Sequence, residues 1–392
     1  MNAPARPTLT HGLTVLFAFT CALAVATVYF VQPLLDAIGP SLGVPQGHLG
    51  LVVTFTQLGY AAGLVLIVPL GDRLDRRTLI ISQLCLSTLA LLVAACSPSW
   101  GVLLLAMLIV GSMAVVIQVL VAFTASIASP SQRGQAIGTV TSGVVMGILL
   151  ARLVSGLVAD LAGWRVAFLL FATLMLVSAA TLYRLMPRAQ LPASPLRYRA
   201  LLASLFRLLL TQRTLRRRGL LALLVFADFS VFWSAMVLPL SAAPLSLSHT
   251  QIGLLGLAGV AGALAAAKAG GWADRGLGSR TTIIALALLT LSWLPLAWGP
   301  SSLSALLLGV LLLDFAVQAL HVTNQSLIFA SQPHDQSQLV GAYMCFYSVG
   351  SGLGALAATQ VYALWGWLAV CVLGAAIGAV AFVYGWAIRS GP

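Results

Sequence analysis

Four polar side chains recur along an otherwise apolar stretch: Asp314, Gln318, His321 and Gln325, spaced four, three and four residues apart. That spacing puts them on one face of a helix, with Asn324 at its border. An acid, two amides and an imidazole on one face can pass a proton or hold a polar solute. The same stripe can instead hydrogen-bond a neighbouring helix. Two more ionisable residues interrupt apolar runs, Asp228 and Arg152. A charge at membrane depth costs about 2.5–3.5 kcal/mol on insertion scales, so each of these marks a functional site by default. Low dielectric disfavours a charged carboxylate, which lets such an acid exchange a proton near neutrality. Arginine stays protonated, so any proton carrier must be an acid or a histidine. Asp314 is the first choice, Asp228 the second and His321 the third. For Asp228 the competing reading is a structural hydrogen bond to a Ser or Trp, and for His321 it is packing. One cation in the first half of the chain and two acids in the second suit a charge pair across a central cavity.

Less specific candidates for the walls of such a cavity are Gln32, Gln57, Tyr60, Gln118, Trp233, Tyr343 and Tyr347. Rings among them could stack on a flat or amphipathic substrate; each is equally compatible with ordinary packing. Trp100, Trp164, Trp367 and Trp386 fall near segment ends, as an interfacial aromatic belt requires.

The elements that carry these residues are membrane spans. Of 392 residues, 60% are apolar and 7% charged, and mean hydropathy is +1.03, whereas soluble domains carry about 25% charged residues. A span needs about 20 apolar residues. Twelve segments qualify: 12–35, 49–70, 78–96, 101–127, 135–159, 164–186, 219–240, 249–271, 281–298, 302–327, 339–362 and 365–388. Lys and Arg concentrate in every second gap between them. Arg6 precedes the first; Arg73, Arg76 and Arg77 separate the second and third; Arg133 separates the fourth and fifth. Nine arginines from Arg184 to Arg218 follow the sixth, Lys268, Arg275 and Arg280 flank the eighth-to-ninth gap, and Arg389 follows the twelfth. Cytoplasmic loops retain such residues, so both termini are expected in the cytoplasm.

The net charge of +12, with eight Asp and no Glu, reflects that anchoring rather than nucleic-acid binding. The five cysteines lie inside apolar segments without paired or metal-like spacing. The first segment is too long for a signal-peptide core. No phosphate-cradling loop or metal cluster is evident, so an enzyme, a cofactor and nucleotide-driven transport are not expected.

The basic stretch 187–218, with Pro187, Pro192 and Pro195, divides the chain into a first bundle (1–186) and a second (219–392). Within it, Leu201–Leu210 reads either as an amphipathic helix on the inner leaflet or as a plain tether. The two parts match at an offset of 203: Gly50 with Gly253, Gly59 with Gly262, Pro130 with Pro333, Gln135 with Gln338, Gly138 with Gly341, Gly147 with Gly350, and Gly163-Trp164 with Gly366-Trp367. Duplicated six-span halves are an architecture of alternating-access carriers.

Between the second and third spans the chain reads Val68-Pro-Leu-Gly-Asp72-Arg73-Leu-Asp-Arg76-Arg77, and after the eighth Gly270-Gly-Trp-Ala-Asp274-Arg275. These resemble the G-x-L-A-D-R-x-G-R-R loop of the major facilitator superfamily, although Val68 and Asp75 replace two glycines. Gly147, Ala151, Ser155 and Gly156 resemble the small-residue face that exporters of that superfamily pack against span 8, with Arg152 in place of the proline. Span 4 lacks the arginine of many proton-coupled members. With Gln32-Pro33-Leu34 and Asn324-Gln325, the pattern is similar to the drug and sugar exporter branch related to arabinose-efflux permeases. The resemblance spans the chain and implies an all-α protein of twelve helices in two pseudo-symmetric bundles. It implies a proton-coupled antiporter, acting as a monomer in a bacterial inner membrane on a small-molecule substrate, with Asp72, Arg73, Arg76, Arg77, Asp274 and Arg275 as the cytoplasmic gate. A proton symporter or facilitative uptake carrier on the same fold is the alternative.

Overall fold

The computed structural model describes residues 9–129, 132–187, 198–331 and 336–390. Arg6, Pro130, Pro192, Pro195 and Pro333 lie outside the described residues. Hydrocarbon offers no partner to backbone N–H and C=O groups, so the apolar segments must bond internally as helices. Spans 1 to 7 are His11–Ser41, Gln46–Gly71, Arg76–Ala95, Trp100–Ile127, Arg133–Ala162, Trp164–Leu185 and Arg213–Ser241. Span 8 is assembled from His249–Leu254, a tight turn at Leu255–Ala258 and Gly259–Asp274. Spans 9 and 10 are Gly278–Ala297 and Leu303–Ser331, and spans 11 and 12 share the stretch Gln336–Ser390. Among the described residues, ten helices are long and apolar enough to cross by themselves. Dividing Gln336–Ser390 at its kink and adding the broken span 8 gives twelve. "Inner" below means the side of the arginine-rich turns.

The repeat explains why particular glycines recur. Gly163 (φ 87°) and Gly366 (φ 75°) occupy equivalent left-handed turns, closed to residues with a Cβ without strain. The tryptophan after each turn is buried: Trp164 Nε1 donates to Ser41 Oγ (3.0 Å) and Trp367 Nε1 to the Leu296 carbonyl (2.9 Å). These two therefore lock turns inside the protein instead of joining a lipid-facing belt, whereas Trp386 is exposed.

The two bundles meet along two seams related by the same offset. A Cβ on Gly50 would strike the Ala355 carbonyl, joining span 2 to span 11. A Cβ on Gly253 would strike the Arg152 carbonyl, joining span 8 to span 5. Adding 203 turns Gly50 into Gly253 and Arg152 into Ala355, so each seam is the other's image. The first is reinforced by Gly50 N–H to Thr359 Oγ1 (3.1 Å) and Thr54 Oγ1 to the Gly352 carbonyl (2.8 Å).

The small-residue face of span 5 divides its contacts. Gly156 packs on the His249 carbonyl at the start of span 8, and Ser155 Oγ donates to the Arg152 carbonyl (3.2 Å). Ala151 is buried, but Gly147 packs on Ala22 of span 1. The expectation of a single face against span 8 thus needs correcting at Gly147. The reason is that span 8 crosses only the outer part of span 5.

Tyr198–Thr211 is a helix on the inner side. Its Tyr198 hydroxyl donates to the Leu66 carbonyl of span 2 (2.6 Å), and Ser204 Oγ donates to Gln338 Oε1 of span 11 (3.3 Å). It bridges the two bundles where direct helix-to-helix seams do not reach.

Candidate functional site

Span 5 carries Arg152 into the contact between the bundles, and the side chain is buried. Its Nε donates to Gln32 Oε1 of span 1 (2.8 Å). Its guanidinium carbon lies 3.7 Å from the ring centre of Trp233, 5.2 Å from Tyr29 and 5.9 Å from Phe229. A cation over aromatic faces is held by the ring quadrupoles, and most strongly when desolvated. Arg152 Nη2 has no hydrogen-bond partner.

Trp233 faces two ways. One face covers Arg152, while its Nε1 donates to Asp314 Oδ1 (3.2 Å) on span 10. The cation of one bundle and the acid of the other are therefore joined through an indole. Phe226, Phe229 and Trp233 follow at intervals of three and four, which presents one aromatic face of span 7 to this site.

A second layer lies further along span 10. His321 Nδ1 is 3.1 Å from the Tyr343 hydroxyl and its Nε2 is 3.4 Å from Gln325 Nε2. Phe226 meets the imidazole edge-on at 5.3 Å and the Tyr347 ring at 4.1 Å. The Tyr347 hydroxyl pairs with that of Tyr29. Tyr29 thus joins the layers, so a continuous polar and aromatic chain runs from Asp314 through Trp233, Arg152, Tyr29 and Tyr347 to His321. It crosses between the bundles twice, at Trp233–Arg152 and at Tyr29–Tyr347.

Several expected residues lie elsewhere. Asp228 accepts from Trp293 Nε1 (2.7 Å) on span 9, and its Oδ2 would lie 3.3 Å from a Cβ on Gly378 of span 12. It belongs to the interior of the second bundle and not to the face shared with Arg152. Asn324 accepts from Arg218 (3.4 Å), which also donates to Thr282 Oγ1 (3.1 Å). Arg218, read from sequence as part of an inner-surface anchor, reaches into the bundle instead. Gln118 Nε2 donates to Tyr60 (3.4 Å) within the first bundle, and Gln57 is buried beside Gly352 at the span 2–span 11 seam. Gln318 is half-buried and packs at Gly262 of span 8.

At the inner turns, Arg76 donates to the carbonyls of Gly71 (2.9 Å) and Ala122 (3.1 Å), and Arg77 to that of Tyr183. Tyr183 is in the last turn of span 6, where helix carbonyls need donors, and Ala122 is five residues before the end of span 4. These arginines hold the loop to its own bundle. Arg73 and Arg275 are exposed, and the side chains of Asp72 and Asp274 lie outside the described residues.

Sequence reasoning missed Tyr29 and Phe229 because aromatic residues in an apolar helix look like core. The three-and-four spacing in span 7 was a usable signal for Phe229. Tyr29 offered none, since its significance lies in partners about 120 and 320 residues away.

A family model described as Major Facilitator Superfamily matches residues 16–226 and again 218–392. The uncharacterized transporter YgaY of Escherichia coli O157:H7 is 42% identical over 378 residues, covering 96% of each chain. The inner membrane transport protein YnfM of Escherichia coli K12 is 27% identical over 255 residues, 64% of this chain and 61% of that protein. Among solved structures, a bacterial homolog of the human lysosomal transporter Spinster superposes with TM-score 0.76 at 17% identity, covering 96% of both chains. A point mutant of the nucleoside transporter NupG gives 0.79 at 14% identity, covering 96% of this chain and 99% of that one. Two matched halves, twelve spans and a polar couple between the bundles agree: this chain is a membrane transporter of the major facilitator superfamily.

Proposed function

We propose that the protein is a proton-coupled exporter that exchanges a small organic molecule for a proton by alternating access. The observation that carries this reading is the buried Arg152–Trp233–Asp314 couple, with cation and acid on opposite bundles. Protonating Asp314 leaves the Arg152 charge without its acid. That change alters the attraction between the bundles, which is what a rocking carrier needs in order to link proton and conformation. Asp314 is the proton site in this account, and Arg152, Gln32, Trp233 and Tyr347 border the substrate. The inner turns at Asp72 and Asp274 serve as the gate on the arginine-rich side, in a bacterial inner membrane. The proton gradient and the membrane potential, about 2.3 kcal/mol per charge per 100 mV, supply the energy. Substrates that fit this border combine a flat or aromatic surface with a polar group.

Symport on the same fold is the second reading, favoured by Arg152 Nη2, an unmet buried donor that suits an acceptor group entering together with the proton. Liposomes containing the protein and an internal pH-sensitive dye separate the two under an imposed gradient. Antiport predicts proton and substrate fluxes of opposite direction, and symport fluxes of the same direction. Substrate flux with no proton movement would overturn both.

A further inference from the structure

The outer ends of spans 1, 5 and 8 converge on one histidine that plays no part in the site above. His249 opens span 8 in the second bundle. Its Nδ1 lies 2.7 Å from Asp160 Oδ1 at the end of span 5, and its Nε2 lies 3.1 Å from Asp36 Oδ1 at the end of span 1. Both acids belong to the first bundle. Asp160 also accepts from the His249 backbone N–H (3.0 Å), the Thr250 N–H (2.7 Å) and the Thr250 hydroxyl (2.6 Å), so it caps the first turn of span 8 from across the seam. All three side chains are about one-fifth exposed. Asp36 also lines a cleft of about 530 Å³ that opens beside them, between Gly39–Leu49 and Leu238–Ala242.

The protonation state follows from donor counting. A neutral imidazole has one N–H, and a carboxylate only accepts. Hydrogen bonds from both ring nitrogens to two carboxylates therefore require the imidazolium. The charged groups acting on His249 are Asp36 from span 1 and Asp160 from span 5. The polar residues of its own turn, Ser248 and Gln251, satisfy each other as a capping box. Arg152, eight residues before Asp160, turns inward to Gln32. With the proton, the cluster carries one positive charge between two negative ones. Without it, one hydrogen bond across the seam is lost, and with it the cation that ties the second bundle to both acids of the first.

We propose that His249, Asp36 and Asp160 form a proton-operated latch that holds the outer mouth shut, with His249 as its positioning residue. Protons arriving at the outer face close the outer side and bias the carrier inward; alkaline conditions release it. This inference rests on the alternating-access reading but not on Asp314 as proton site. Its test needs no substrate, so the two can fail separately.

The test is a pulsed electron-spin distance between labels at Ala162→Cys and Leu364→Cys, outer-end positions on opposite bundles, with the native cysteines replaced by alanine. The transporter is held in lipid nanodiscs across pH 5 to 10. The short-distance population of the parent should give way to a longer one as pH rises. His249→Arg, permanently charged, should keep at least a fivefold excess of the short population at every pH. His249→Gln should show the long population throughout, and Asp36→Asn should lose most of the pH response while keeping Asp160 to cap span 8. A parent distribution that does not change with pH, or a His249→Gln protein that titrates like the parent, would overturn the latch. Should His249→Gln fail to fold, the Asp36→Asn response decides: an unaltered titration refutes the proposal.

Discussion

At the residue scale, the account turns on how a cation and an acid share one indole. Trp233 stacks on Arg152 and donates to Asp314, so Trp233→Phe keeps most of the face and removes the donor. A hydrogen bond to a charged group contributes about 1.5–3 kcal/mol. Losing it should shift the midpoint of the pH–transport profile by about one unit or more, with folding intact. An unmoved midpoint would separate Trp233 from the acid's chemistry. Asp228 is the internal contrast, because Trp293 donates to one of its oxygens and the other has no partner. Trp293→Phe should cost about 1–3 kcal/mol through the unsatisfied acid. It should lower the melting temperature in detergent without moving the pH profile. A moved profile would return Asp228 to the list of proton carriers. The sequence made both acids visible as charges in apolar helices, yet it could not rank them by environment. What separates them is the facing helix: span 5 with an arginine for Asp314, and spans 9 and 12 with an indole for Asp228.

At the element scale, the seams depend on glycine where a carbonyl of the opposite bundle comes too close for a side chain. Gly253→Val places branched carbons against the Arg152 carbonyl, and Gly50→Val does the same at Ala355. Either should force the outer ends apart and raise the reactivity of an outer-end cysteine to an impermeant thiol reagent several-fold. Because the repeat makes the seams equivalent, the two variants should act in the same direction, and opposite effects would argue against the symmetry. The repeat itself was legible from sequence as paired glycines and Gly-Trp turns. The broken course of span 8 was not, since Leu255–Ala258 is as apolar as a continuous helix would be. Nor was the direction of Arg218 visible, because an arginine at a span end reads the same whether it faces lipid headgroups or Asn324.

At the scale of the whole molecule, the contacts joining the bundles, apart from the bridging helix Tyr198–Thr211, cluster from the level of Arg152 outward. Among the described residues they include the Arg152–Trp233 contact, the two seams, the Tyr29–Tyr347 pair and the His249 cluster. This is a carrier with its outer side closed, and the polar chain from Asp314 to His321 lies just beneath the closure. Hydropathy made the spans legible, because the bilayer imposes their length on sequence. The couple between the bundles needed three dimensions, because its members come from spans 1, 5, 7 and 10.

The central claim is that Asp314 links proton movement to the rocking of the bundles. The most direct measurement is proton flux into dye-loaded liposomes driven by a transported compound, comparing the parent with Asp314→Asn. The account predicts that the variant folds, reconstitutes and binds the compound, but loses at least ~90% of compound-driven proton movement, since a neutral amide cannot take up the proton. Full proton-coupled transport by Asp314→Asn would contradict it.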